Sequence, residues 1–247
     1  MSENIARIVL NRPEKRNALD AALVAKIRSE LTAAAADSAV RVVVVTGEGA
    51  DFCSGADLSE LRAIADNGPL ENMASARAIG DIFLAIRNHR CPVVAAVRGR
   101  ALAGGCGLAT ACDLVLAAES AQFGYPEVNI GFVPAMVMAL LTRQVGEKRA
   151  FELTTMGNVI GAREALSMGL VNAVFADESF DDDVNAWVDR LARKPSTAVS
   201  MTKSLLYRND GLSFETAIEA GVYANALART TDECRQGVAR FLEGKKT

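Results

Sequence analysis

The sequence predicts an α/β fold that ends in a helical appendage. Short apolar, β-branched runs alternate with stretches of helical periodicity, and the C-terminal patterns are helical alone. Small-residue loops follow two of the buried-type runs. With 247 residues, half of them hydrophobic, the chain can build one large domain, or one domain with an appendage.

Ile5 to Leu10 reads as a short strand, followed by the polar loop Asn11-Arg12-Pro13-Glu14-Lys15-Arg16-Asn17. Asp20 stands where it would N-cap a helix whose Leu23, Val24, Ile27 and Leu31 share one face. Val40 to Thr46 is nearly all β-branched, the pattern of a strand buried on both faces. Gly47-Glu48-Gly49 turns the chain into Asp51-Phe52-Cys53-Ser54-Gly55-Ala56-Asp57-Leu58, a loop with a small-residue centre. Leu61 to about Ile86 has helical periodicity, broken at Asn67-Gly68-Pro69, where a flap would hinge.

Pro92 to Val97 is a second buried-type strand. It feeds a segment holding Gly99, Gly104, Gly105 and Gly107, after which Leu108 to Cys112 has the look of first helical turns. Leu114 to Ala118 is another strand, and Phe123-Gly124-Tyr125-Pro126-Glu127 a turn-rich loop. Helices are expected at Ala135–Val145, Glu147–Met156 and Ala162–Met168, then a strand at Val171–Phe175. Asp181-Asp182-Asp183 suits a solvated helix start. Beyond Pro195 the patterns to Arg208, over Ser213–Leu227 and over Asp232–Leu242 are helical.

Composition excludes several classes. A net charge of -3 without a basic stripe argues against a nucleic-acid binder. Arg41, Asp113 or Arg143 interrupts the strongest apolar runs before they reach the length of a membrane span. Met-Ser-Glu-Asn-Ile has neither a basic region nor an apolar run, so no secretory signal is expected. Five cysteines without a metal-type cluster fit buried thiols, Cys106 and Cys112 among them, and a reducing, cytoplasmic setting. The single histidine, His89, lies in Arg87-Asn88-His89-Arg90 and is expected at the surface.

Dense glycine lets a ligand approach the backbone, and a helix that starts there aims unpaired N–H groups at it. Gly104-Gly105-Cys106-Gly107 lacks the spacing of a dinucleotide fingerprint, and no Walker-type run exists. If the strands before Ala56 and Gly104 are neighbours, the two loops meet at one sheet edge. Two converging N–H groups there would make an oxyanion hole. Tight turns for helix–strand packing explain the same glycines equally well. With one histidine in the chain, acid–base work falls to carboxylates. Glu127, between Pro126 and the apolar Val128, would have a raised pKa if buried. A helix-start or salt-bridged glutamate is the alternative. Asp57 and Asp113 read as caps or ion-pair partners.

Four stretches, in this order and spacing, carry a family resemblance: Asn11-Arg12-Pro13-Glu14-Lys15-Arg16-Asn17-Ala18-Leu19, Phe52 to Leu58, Gly99 to Asp113, and Phe123 to Glu127. Over nearly its whole length the chain resembles the crotonase superfamily of enoyl-CoA hydratases and isomerases. The resemblance implies a crotonase-like fold of repeated ββα units with a helical C-terminal region. Residues 1–192 would form the core with the acyl-CoA site, and residues 193–247 the segment for packing and oligomerisation. It implies an acyl-CoA thioester substrate and no metal or redox cofactor, CoA being part of the substrate. It also implies a homotrimer or dimer of trimers, with no nucleic-acid or membrane partner.

By position, the N–H groups of Ala56 and Gly104 resemble the family's oxyanion hole, and Glu127 its catalytic glutamate. Asp57, Leu58 and Ser59 fall where the family's loop borders CoA. Lys15 and Arg16 fall in a loop that often nears the CoA phosphates, and Lys245 or Lys246 where a basic tail residue often reaches a neighbour's CoA. Solvated charges explain Lys15 and Arg16 as well, and a frayed tail Lys245 and Lys246.

One departure stands out. Hydratases of the family use two glutamates twenty positions apart, and the first falls on Gly107, which has no side chain. Ala135 stands where some relatives carry an aspartate, and Val137-Met138 replaces a common Gly-Gly, so Met136 or Met138 would line a reshaped acyl pocket. A single carboxylate beside an oxyanion hole can move a proton along an enoyl thioester. The expected activity is therefore 3-enoyl to 2-enoyl isomerisation, with hydration of 2-enoyl-CoA as the alternative. A non-catalytic acyl-CoA binder is the reading from another class.

Overall fold

The computed structural model describes residues 4–244, apart from the side chains of residues 58 and 63–65. The first half runs β1 (Ile5–Leu10), α1 (Ala21–Ala36), β2 (Val42–Gly47), α2 (Leu58–Asp66), α3 (Pro69–Asn88), β3 (Val93–Val97), β4 (Arg100–Leu102) and α4 (Gly104–Ala111). Then come β5 (Leu114–Ala118), β6 (Gln122–Gly124), α5 (Ala135–Val145), α6 (Glu147–Met156), β7 (Val159–Gly161), α7 (Ala162–Met168) and β8 (Ala173–Phe175). Four helices close the chain: α8 (Phe180–Ala192), α9 (Ser196–Arg208), α10 (Phe214–Ala228) and α11 (Asp232–Glu243).

The main sheet is parallel, in the order β1-β2-β3-β5-β8. Its strands are apolar on both faces because both faces are covered. Val43, Val45, Val93, Ala95, Val97 and Val115 face the core shared with α1, α3 and α4. The alternate residues Val42, Val44, Val94, Ala96 and Leu116 meet Phe180, Val184 and Val188 of α8. Asp20 caps α1 as expected, its carboxylate accepting from the Leu23 N–H at 2.8 Å. The break at Gly68 is a helix boundary, where the Glu71 carboxylate accepts the Gly68 N–H at 2.6 Å.

A second, smaller sheet pairs β4 with β6 in parallel and β6 with β7 antiparallel. The units β3–β4–α4 and β5–β6–α5 thus each carry one strand into either sheet before the helix. Sequence periodicity misses these three-residue strands. They carry too few residues for an alternating pattern, and their pairing decides them. Another correction concerns α4, which begins at Gly104 rather than at Leu108. Glycine is a poor helix former, but Gly105 lies against the Cys53 carbonyl so closely that only a residue without Cβ fits.

His89 is buried, contrary to the surface position expected of it. Its Nδ1 accepts the Cys91 N–H at 3.1 Å as the chain turns from α3 into β3. Burial holds the imidazole pKa below its ordinary value. Nearby, Lys203 of α9 reaches into the core and binds Asp113 at 2.6 Å, the Ile86 carbonyl at 2.8 Å and the Cys91 carbonyl at 3.0 Å. Asp113 also accepts from the Tyr207 hydroxyl at 2.6 Å and the Val93 N–H at 2.6 Å. This ion pair fastens the C-terminal helices to the sheet. None of the described residues forms a helix long and apolar enough to cross a membrane.

Candidate active site

β2 and β3 are adjacent, with Val45 opposite Ala95, so the loops that follow them leave the sheet at the same edge. The polar loop after β1 straps the first of these loops in place. Asn17, fully buried at φ +54°, donates from Nδ2 to the Glu48 and Asp51 carbonyls at 2.9 and 2.7 Å. Its Oδ1 accepts the Arg12 N–H at 2.8 Å. Asparagine tolerates this left-handed conformation better than most residues. The Arg12 guanidinium then reaches Asp57 at 2.8 Å and the Ala18 carbonyl at 2.6 Å.

Leu19 completes the strap in a way that orients Ala56. The Leu19 N–H donates to the Gly55 carbonyl at 2.7 Å, and the Asp57 N–H donates to the Leu19 carbonyl at 2.9 Å. Within one trans peptide unit the carbonyl and the following N–H point in opposite directions. The Ala56 N–H therefore points away from Leu19. On the facing loop, Gly104 is the first residue of α4, where an N–H has no intrahelical acceptor. Ala103 before it is held at φ +49°, ψ −125°, a conformation that costs a residue with a Cβ about 1–3 kcal/mol. A Cβ added at Gly55 would lie 2.9 Å from the Ala103 Cβ and 3.5 Å from the Gly104 nitrogen, so the two loops are in contact.

Ala56 and Gly104 line one cavity of about 340 Å³, together with Glu127. Pro126 starts the short 3-10 turn that carries Glu127, which ends at Gly131 in the left-handed conformation. Tyr125, fully buried, anchors the turn through its hydroxyl, 2.6 Å from Thr110 Oγ1. The Glu127 carboxylate is half-buried; its Oε2 is shielded from solvent and has no hydrogen-bond partner among the described residues. Burial raises its pKa above the ordinary 4.5. Among the described side chains that line the cavity it is the sole ionisable one, the rest being mostly apolar.

Gly107, one turn into α4, also lines the cavity. A Cβ there would lie 3.1 Å from Phe83 Cζ, so the α3 phenyl ring covers the side from which a residue-107 side chain would project. Among the described residues no second carboxylate lines the cavity. Met136 and Val137 line the cavity, whereas Met138 does not. No group of three His, Cys, Asp or Glu side chains among the described residues is placed to hold a metal ion.

The enoyl-CoA hydratase/isomerase family model matches residues 1–247. The chain belongs to that family. A Thermus thermophilus relative is 38% identical to this family member over 240 residues, covering 97% of this chain and 95% of its own. A crotonyl-CoA hydratase of Syntrophomonas wolfei is 33% identical over 250 residues, covering 99% and 94%. The crystal structure of an enoyl-CoA hydratase from Mycobacterium smegmatis superposes with a TM-score of 0.94 at 34% identity, covering 99% of this chain and 94% of that one.

Not every residue expected at the site of this family member lines the cavity. The Asp57 carboxylate is taken up by the Ser59 hydroxyl and N–H at 2.7 and 2.9 Å and by Arg12. These partners, the Ser59 bonds foremost, hold it well below the usual carboxylate range. Asp57 thus fixes the start of α2, and Ser59 is exposed beside it. The Leu58 side chain and residues 245–247, with Lys245 and Lys246, lie outside what is described. Lys15 and Arg16 are exposed, and the Arg16 carbonyl accepts the Ser54 N–H at 3.0 Å, next to the cavity mouth. Phe83 is the residue that sequence reasoning missed. It sits at an ordinary core position of a helix, and only packing brings it over Gly107.

Proposed function

We propose that the protein is an enoyl-CoA isomerase that moves a double bond from the 3-position to the 2-position of an acyl-CoA thioester. The Glu127 carboxylate takes a proton from C2 of the 3-enoyl thioester. The electron pair passes into a dienolate whose charge rests on the thioester oxygen. The N–H groups of Ala56 and Gly104 stabilise that oxygen, each such donor being worth about 3 kcal/mol in the transition state. Glu127 then returns the proton at C4, and the electrons settle as the 2-enoyl product.

One observation carries this choice: Glu127 is the one carboxylate among the described residues that line the cavity, and the side opposite Gly107 is covered by Phe83. Hydration needs water held and deprotonated, and a single carboxylate without a second anchor holds water poorly. Hydration is the second reading, favoured by relatives such as the crotonyl-CoA hydratase of Syntrophomonas wolfei. Purified protein given a 3-enoyl-CoA and, separately, a 2-enoyl-CoA distinguishes the two. Isomerisation of the first should dominate; rapid hydration of the second without it would reverse the order.

The same reading places Asp57, Leu58 and Ser59 beside CoA, with Lys15 and Arg16 near its phosphates. It divides the chain into residues 1–192, a catalytic core, and residues 193–247, an oligomerisation segment. Support comes from α10 and α11, which bury no side chain and expose Phe214, Ile218, Val222, Tyr223 and Phe241. So much apolar surface on consecutive helices suits a homotrimer or a dimer of trimers. Light scattering that returned a monomer would remove it. A cytoplasmic setting fits the five free cysteines.

A further inference from the structure

A second apolar groove, about 370 Å³, lies between α3 and α5, and two residues line both it and the catalytic cavity: Phe83 and Met136. Gly80 and Phe83 are one turn apart on the same face of α3. A Cβ at Gly80 would lie 3.4 Å from Met136 Sδ, so the methionine packs across α3 beside the phenyl ring. Together they form a wall two side chains wide between cavity and groove. Beyond it the groove continues along α3 past Leu84 and Met73, both more than half exposed. Phe83 belongs to the main core cluster, whereas Met136 is 36% exposed.

We infer that Phe83 and Met136 determine acyl chain length: their wall ends the acyl site, and removing either joins the groove to it as a path for the distal carbons of a longer acyl chain. The inference rests on the acyl-CoA reading of the cavity. The occupant follows from continuity: the groove shares Phe83 and Met136 with the cavity, and aliphatic, thioether and phenyl groups line it together with Arg77 and Arg87. A hydrocarbon tail is what such a lining favours. Each buried CH₂ improves binding about fourfold.

Titration calorimetry with saturated acyl-CoAs, from butanoyl-CoA to dodecanoyl-CoA, tests this without requiring turnover. For the wild-type protein, affinity should rise about fourfold per CH₂ and then level off where the chain meets the wall. In Phe83→Ala and in Met136→Ala the levelling should move outward by several carbons. Should Phe83→Ala not fold, Met136→Ala on the partly exposed face carries the test alone. The same levelling point in folded variants and wild type would overturn the inference. So would a Met73→Glu variant with altered oligomer size, since a subunit would then occupy the groove. Wild-type protein that binds no acyl-CoA overturns the acyl-CoA reading itself, a result distinct from bound acyl-CoAs with an unmoved length profile.

Discussion

Phe83 Cζ lies 3.1 Å from the point that a Cβ on Gly107 would occupy. The phenyl ring and the missing side chain are therefore complementary, and neither can be changed without answering for the other. Gly107 has no left-handed backbone angle, and the atoms nearest a Cβ there are those of this ring and of Val137, 3.8 Å away.

Gly107→Glu alone should be destabilising by about 1–3 kcal/mol, because the new chain must displace the ring. The double variant Phe83→Ala, Gly107→Glu relieves that contact and gives the cavity a second carboxylate. Its ratio of hydration to isomerisation should exceed that of wild type, measured by product analysis on paired substrates. An unchanged ratio in a folded double variant would separate water activation from this position.

Glu127→Gln should lower isomerase turnover by about 10²–10⁴-fold, the span of a general acid–base group, with acyl-CoA affinity little changed. In the wild-type protein kcat/KM should rise with pH, through an apparent pKa above the ordinary 4.5 that burial of the carboxylate implies. A pH-independent rate in that range would mean another base.

The same raised pKa has a stability consequence of definite sign. The folded protein holds the Glu127 proton to higher pH than the unfolded chain does. Stability is therefore lost as pH rises from about 4.5 through the folded value. Glu127→Gln removes that loss. Its Tm should exceed that of wild type at pH 7, and the difference should close below pH 4.5. Thermal scans at the two pH values check it.

Lys203→Ala should cost about 3–5 kcal/mol, because it strands the nearly buried Asp113 carboxylate without its cation. Lys203→Met with Asp113→Asn should recover much of that loss. Equilibrium denaturation of the single and double variants measures the difference.

Gly105→Ala should destabilise by about 3 kcal/mol or more, since its methyl group would lie 2.2 Å from the Cys53 carbonyl oxygen. Backbone atoms form this contact, so no side-chain rotation relieves it. Retention of wild-type Tm would show that the two loops can separate.

Local pattern was enough for much of this molecule. The strands at Ile5–Leu10 and Leu114–Ala118, the helices Ala135–Val145, Glu147–Met156 and Ala162–Met168, and the Asp20 cap are all legible because the pattern of a regular element repeats in the sequence. Glu127, Ala56 and Gly104 could be singled out because proline, glycine and a lone carboxylate mark turns and backbone approach. That they share one cavity required the adjacency of β2 and β3, which pairs residues fifty positions apart. The short strands β4, β6 and β7, the burial of His89 beside Lys203, and the cover of Gly107 by Phe83 are contacts between distant segments. A side chain carries no local mark of which distant partner it will meet. Chain order and residue chemistry determined which groups exist, the bare Gly107 among them; packing alone decided that Phe83 covers it and that no other carboxylate of the described residues lines the cavity.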